Sequence, residues 1–490
     1  MRVPGTDIVS WGLVRFEEAV LVYFCLVNSF YALLLVCAYW EMRQHLFRTR
    51  GESRWRLLGS RAAPIISMIA PAYNEAATIG ESMRSLLTLQ YPNLEVVVIN
   101  DGSKDGTMAV LAEQFDLVPT HPIYNRRLET KQVRNLYRSR SYPSLTVVDK
   151  ENGGKADALN AGLNVAIGEL ICSIDADTLI EPDAIQRVVR PFLVKDDVVA
   201  AGGTIRVVNG CRVEQGRVVA AHAPRRPVPG FQVGEYMRSF LFGRLGWNRL
   251  GGNLIISGAF GLFRREAIIA AGGYAHDIVG EDMELVLRLR RQGYEQNQPC
   301  RVEFIPDPVA WTEAPNSLKV LGRQRDRWHR GLADVMWRHR RILLNPRYGA
   351  LGMVVYPYFF FVELLAPVVE ALGLVATIIG LSIGAINLHF AILFLLVAYG
   401  YGLVLTTFTL VLEETSYLRY EKIGDRLVLL LWVLLENLGY RQLSVVWRLR
   451  GLARYLQGGK GWGAMEREGF NRPKPQQEAG SSSRQPSGSS

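Results

Sequence analysis

Residues 66–107 read ISMIAPAYNEAATIGESMRSLLTLQYPNLEVVVINDGSKDGT. The opening apolar run stops at Pro-Ala-Tyr-Asn-Glu, ATIGESMRSLLTL has helical spacing, and LEVVVIN is a second buried run that ends at Asp101. MAVLAEQF predicts another helix. The alternation then repeats through LTVVD, KADALNAGLNVAI, ELICSI and PDAIQRVVRPFLV. Continuous apolar runs alternating with helices of about 10–15 residues predict βαβ units, an α/β class with a parallel sheet covered on both faces. Ligands of such sheets sit beyond the carboxyl ends of the strands. Those ends here carry Tyr73, Glu75, Asp101, and Asp175 with Asp177. The chain has no GxxxxGK[ST] and no GxGxxG, so P-loop and dinucleotide readings lose their usual support.

The flanks differ from this middle. Of the 490 residues 49% are hydrophobic, and they pool near the N-terminus and over about 351–447. Residues 19–39 hold no charge and are long enough to cross about 30 Å of hydrocarbon. A cleaved leader is disfavoured, because Asp7, Glu17 and Glu18 precede the run and no small-residue cleavage site follows. Residues 1–18 carry two Arg against three acids, a net of −1. Residues 41–63 carry six Arg against two Glu, a net of +4. Positive-inside reasoning places the N-terminus outside and the middle in the cytoplasm. The net charge of +10 therefore reads as membrane topology rather than nucleic-acid binding. Five cysteines without a CxxC pair give no disulfide or zinc framework.

Several constellations carry chemistry. Asp175 and Asp177 are two apart at a strand end, on one side if extended. That suits a hard divalent cation that also grips phosphates, or else a turn. Asp101 could accept hydrogen bonds from a base or ribose, while Asp105 reads as a helix cap. Lys155 follows two glycines and opens a helix, which reads either as an anion site or as a surface lysine. Glu281 and Asp282 start a helix, where the dipole favours acids and where a carboxylate can also act as a general base. Gln324, Arg327 and Trp328 share one helical face, either as an interfacial anchor or with Trp stacking and Arg on a phosphate. Residues 120–143 form a basic insertion, read as a solvated helix or loop or else as a membrane-surface or acceptor contact, and HAPRRPVPG (222–230) reads as a loop.

In order and spacing these motifs resemble the membrane-embedded family 2 glycosyltransferases: the cellulose, hyaluronan and poly-N-acetylglucosamine synthases, the last type most of all. The resemblance covers roughly residues 60–345 and implies a GT-A fold that uses a nucleotide-diphosphate sugar, usually UDP-linked. It implies that Tyr73, Glu75 and Asp101 hold the uridine and that Lys155 meets the diphosphate. Asp175 would contact the nucleotide, and Asp177 the Mg²⁺ or Mn²⁺. Asp282, beside Glu281, would be the general base, and Gln324, Arg327 and Trp328 would line the diphosphate and acceptor site. Gly280 stands where the family more often has Thr.

The expected organisation is a transmembrane helix over 1–40, a basic linker over 41–63 and a GT-A domain over 64–345. Interfacial and transmembrane helices follow over 346–457, then a basic and disordered tail over 458–490. Residues 349–365 read as interfacial or broken, 364–386 and 388–412 as spans, and 427–447 as ambiguous. Residues 439–474, with eight basic residues against two Glu, argue for a cytoplasmic end in a multi-pass inner-membrane protein of bacterial type. The expected activity is inverting transfer from a UDP-sugar to a growing β-linked polysaccharide, in contact with membrane lipid and a small membrane partner subunit. The competing readings are a single addition to a lipid or polyprenyl phosphate, and a catalytically silent sensor of sugar nucleotides.

Overall fold

The computed structural model describes residues 4–49, 63–121, 123–175, 178–417, 420 and 422–458. The first apolar run becomes β1 (Ile66–Ala72), buried along nearly its whole length. It pairs in parallel with β2 (Leu94–Asp101) on one side, in the register Ile66 to Leu94 and Ala72 to Asn100. The other strands are β3 (Leu117–Thr120), β4 (Val133–Ser139), β5 (Leu145–Lys150), β6 (Leu170–Ile174), β7 (Leu179–Ile180), β8 (Val198–Val207), β9 (Arg212–Glu214), β10 (Arg217–Ala220), β11 (Phe260–Arg264) and β12 (Arg301–Thr312). Ten of them form one sheet in the order β3-β4-β5-β2-β1-β6-β11-β8-β12-β7, and β9 and β10 form a separate hairpin.

The parallel expectation holds for β5-β2-β1-β6 and for the β8–β12 pair. It fails elsewhere, so the sheet is mixed. β11 lies antiparallel between β6 and β8, and β4 antiparallel beside β5. The basic insertion, expected as helix or loop, supplies β4. The Arg- and Pro-rich stretch expected as a loop enters a helix at Pro227, since proline is tolerated in a first turn.

Helices cover the sheet: α1 (Pro4–Thr49), α2 (Ile79–Leu87), α3 (Thr107–Phe115), α4 (Lys155–Val165), α5 (Pro227–Met237), α6 (Glu281–Glu295) and α7 (Leu318–Arg338). The C-terminal region adds α8 (Ala366–Ser382), α9 (Leu388–Leu395), α10 (Tyr401–Tyr417), α11 (Ile423–Leu435) and α12 (Tyr440–Leu456). A π-helical turn, Leu396–Gly400, joins α9 to α10.

α1 overruns its expected end. Residues 41–49 are helix rather than linker, because Ala38, Met42 and Leu46 repeat every fourth residue and pack on the core of the sheet domain. His45 Nε2 sits 2.6 Å from Asp307 Oδ2 on β12, and Asn248 donates to Glu41 at 3.1 Å. The rest of the expected linker and nearly all of the tail lie outside the described residues. Among the described residues, Ile8–Thr49 is the one helix long and apolar enough to cross a membrane. Leu351–Leu364 and Ala366–Ser382, bent by 44° at Leu365, make a second if the pair acts as one span. The run 427–447 is two helices, broken at Gly439, whose φ of +89° suits glycine.

Candidate active site

Three loops at the carboxyl ends of β1, β2 and β5 are stitched to one another. Asn74 takes the left-handed conformation (φ +55°), its N–H donates to Ser103 Oγ, and its Oδ1 accepts from Lys104 N at 2.8 Å. Asp105 accepts from the N–H groups of Thr107 (3.0 Å) and Ala76 (3.1 Å). It therefore bridges two loops, and the helix N-cap is Gly106. Gly102 is needed at φ +66°, where a Cβ would lie 2.8 Å from Asn152 N.

Asp101 is buried, and both its oxygens are occupied. Lys150 Nζ (2.6 Å) and Gly153 N (3.0 Å) reach Oδ1, and Gly154 N (2.8 Å) reaches Oδ2. The fully buried Lys150 ammonium also sits 2.5 Å from Asp157 Oδ1. Asp101 is thus first a scaffold for the glycine pair that opens α4, ahead of the uridine contact expected of it. Lys150 escaped the sequence reading altogether.

Lys155 starts α4 and stands between two carboxylates, 2.8 Å from Asp175 Oδ1 and 3.2 Å from Glu281 Oε1. Burial alone would favour the neutral amine, but Asp175 and Glu281 hold the ammonium well above the ordinary lysine range. Burial pushes the Glu281 carboxyl up, with Lys155 opposing and Asp282 adding to the rise. Glu281 is therefore more than a complement to the helix dipole: it anchors Lys155. Asp282 accepts from Gly258 N (3.1 Å) and Met283 N (2.8 Å), one N–H for each oxygen. A Cβ at Gly258 would lie 2.9 Å from Lys155 Nζ and 3.5 Å from Asp282 Oδ2, so a side chain there would shift the ammonium.

On α7, Gln324 is buried and its Oε1 has no hydrogen-bond partner among the described residues. Trp328 is half exposed, with the Arg325 guanidinium 4.5 Å from its ring centroid. Arg325 in turn donates to Glu235 of α5, which also accepts from Tyr440 Oη at 2.9 Å.

Tyr73, Glu75, Asp101, Lys155, Asp175, Glu281, Asp282, Gln324, Arg327 and Trp328 all line one cavity of about 2060 Å³. Asp177, expected to hold the metal, lies outside the described residues. The cavity does not end at the sheet domain. It continues among the apolar helices to Tyr23, Asn28 and Tyr31 of α1, Glu370 of α8 and Arg441 and Arg448 of α12. Tyr23 lies about 27 Å of helix from Glu41, at 1.5 Å for each of eighteen residues.

Residues 67–271 match the Glycosyl transferase family 2 model, and residues 170–405 match the Glycosyl transferase family group 2 model. The chain resembles family 2 glycosyltransferases. The poly-beta-1,6-N-acetyl-D-glucosamine synthase of Staphylococcus epidermidis is 28% identical over 273 residues, covering 56% of each chain. The probable glycosyltransferase YdaM of Bacillus subtilis is 26% identical over 294 residues, 59% of this chain and 60% of the relative. The chain thus spans 56 to 60% of the length of these curated relatives. Among solved structures, the mannosyltransferase PcManGT of Pyrobaculum calidifontis, in complex with GDP-Man and Mn2+, matches with a TM-score of 0.51 at 21% identity. That match covers 87% of this chain and 99% of the other, and it gives the family 2 glycosyltransferase-like chain a GT-A-like mixed α/β fold.

Proposed function

We propose that the chain is a membrane-embedded, inverting family 2 glycosyltransferase. It passes a sugar from a nucleotide-diphosphate donor, UDP-linked, to a growing β-linked polysaccharide on the cytoplasmic side of an inner membrane of bacterial type. The observation that carries this reading is the continuity of the cavity. Donor-side Lys155 and Asp175, acceptor-side Asp282 and Gln324, and the interior of the apolar helices face one space.

Asp282 takes the proton of the acceptor hydroxyl. The oxygen bonds the anomeric carbon as the bond to the diphosphate breaks, and the nucleoside diphosphate leaves. The Gly258 and Met283 N–H groups fix the orientation of Asp282 without occupying all its lone pairs. Lys155, kept cationic by its two carboxylates, stands at the N-terminus of α4, where phosphate oxygens are favoured. Asp175 is a half-buried carboxylate on the cavity wall. It fits a Mg²⁺ or Mn²⁺ ion, which is commonly held by one or two carboxylates plus substrate phosphates. Such an ion, when bound, neutralises charge on the leaving diphosphate.

The wall of the membrane-side half favours a glycan over a lipid phosphate as acceptor. Its charges come as pairs: Arg238 with Glu436 (2.5 Å), Arg441 with Glu370 (3.4 Å) and Arg448 with Glu363 (3.8 Å). Each arginine there already faces a carboxylate. A panel of radiolabelled UDP-sugars offered to the purified chain in detergent, with products sized on a gel, tests the reading. A ladder of long products from one donor is expected. A single-sugar product soluble in organic solvent would favour lipid transfer, and no transfer from any donor would leave only a sensor.

A further inference from the structure

Arg244 stands apart from the other buried and half-buried cations of the cavity. It belongs to the π-helical segment Arg238–Arg244 that follows α5, lines the cavity, and lies with its guanidinium 4.0 Å from the Phe240 ring centroid. Among the described residues it makes no hydrogen bond and no ion pair. Burial pushes it down to about 10, with Asp282 opposing, so it stays a cation at neutral pH. Its five N–H donors are therefore open to a ligand that enters the cavity.

The charges that line the same cavity say which ligand. Asp175, Glu281 and Asp282 are three carboxylates set against the one ammonium of Lys155, so without further cations this cluster opposes a diphosphate. Lys155 also divides its donors between two carboxylates. Arg244 adds a second positive charge whose planar fork matches phosphate oxygens. Phe240 holds that fork from behind through its ring face.

We propose that Arg244 binds the diphosphate of the nucleotide donor and of the departing nucleoside diphosphate. This rests on the glycosyltransferase reading and names a residue that neither the motifs nor the family resemblance single out. As the sugar–phosphate bond breaks, the electron pair and its negative charge pass to the diphosphate oxygen, and Arg244 meets that charge without giving up a proton.

The test uses the full chain in detergent, titrated calorimetrically with UDP, GDP, uridine and guanosine. For whichever diphosphate the wild type binds more tightly, Arg244→Gln should weaken binding at least tenfold, and Arg244→Lys should fall between the two. The matching nucleoside should bind all three proteins alike, because it has no phosphate. Equal loss of nucleoside and diphosphate in Arg244→Gln, or undiminished diphosphate binding with reduced sugar transfer, would overturn the assignment. If a diphosphate binds and responds to Arg244 while no sugar is transferred, the proposed function fails and this assignment stands. If neither diphosphate binds the wild type, both fall.

Discussion

Lys150 and Lys155 flank the same glycine pair, five residues apart, and the fold gives them opposite tasks. Lys150 is sealed between Asp101 and Asp157, while Lys155 faces the cavity. Replacing Lys150 with Met keeps much of its shape but leaves two buried carboxylates without their cation. A loss of about 3–5 kcal/mol is expected, the cost of breaking a buried ion pair from one side. A melting curve of the detergent-solubilised variant should show a clearly lower Tm, whereas an unchanged curve would mean that the triad contributes nothing. The neighbouring acids separate by function. Asp282→Asn should cut transfer about 10²- to 10⁴-fold, the range for a general base, and leave UDP affinity almost unaltered. Glu281→Gln should also cost transfer at least tenfold, because Lys155 loses one of its two anchors. A sequence-only view, in which Glu281 serves the helix dipole, expects much less. Measuring UDP binding beside transfer decides this, and near-normal transfer in Glu281→Gln would return that residue to the helix terminus.

At the scale of elements, what was legible followed from local pattern. β1, β2, β5 and β6 are largely apolar runs because each is mostly buried on both faces, and the helices between them carry their own periodicity. The antiparallel insertion of β11 was not legible, since a five-residue strand carries no mark of its direction. Nor was the role of Lys150, because its partner Asp101 lies 49 residues away. Most site residues were found because they sit at a strand end or a helix start, where open backbone groups accompany the side chain, whereas Gln324, Arg327 and Trp328, inside α7, were found by their shared helical face. Arg244 was missed because it sits inside an apolar helix that pattern assigns to packing. The join between α7 and α12 was equally hidden. Gly451 lets α12 lie against Asp326, where a Cβ would come 2.5 Å from the backbone oxygen, and Gly322 receives the Trp447 indole. Arg454 clamps the same Asp326 at 2.7 Å. Gly451→Val should push the helices apart and tilt the face that carries Gln324, Arg327 and Trp328. Transfer should fall severalfold or more while UDP, held at the sheet end, still binds. Full activity in this variant would show that the packing of α12 does not set the position of α7.

For the molecule as a whole, the extension of α1 turns a charge rule into a mechanical constraint. A span followed by a flexible linker could leave the sheet domain on either side, with only arginines to bias the choice. Here the helix runs on unbroken to Thr49 and is fastened to the domain through Met42, Glu41 and His45. In the proposed topology the domain lies on the side of the membrane where residue 41 emerges. Positive-inside bias, with +4 after the apolar run against −1 before it, favours the cytoplasm as that side. The loop between β3 and β4 offers a place to read this out, since Ile123 at its tip is 92% exposed and insertions at such tips are well tolerated. Alkaline phosphatase, active only after export, should be active when fused before residue 4 and silent when inserted at Ile123. A cytoplasmic reporter should give the reverse. Because α1 and the domain are one rigid piece, Arg43→Glu with Arg48→Glu should shift both fusion points together or neither. Export of the Ile123 reporter in the unmodified chain would put the carboxylate cluster outside the cell, away from nucleotide sugars, and the transferase reading would fall with it.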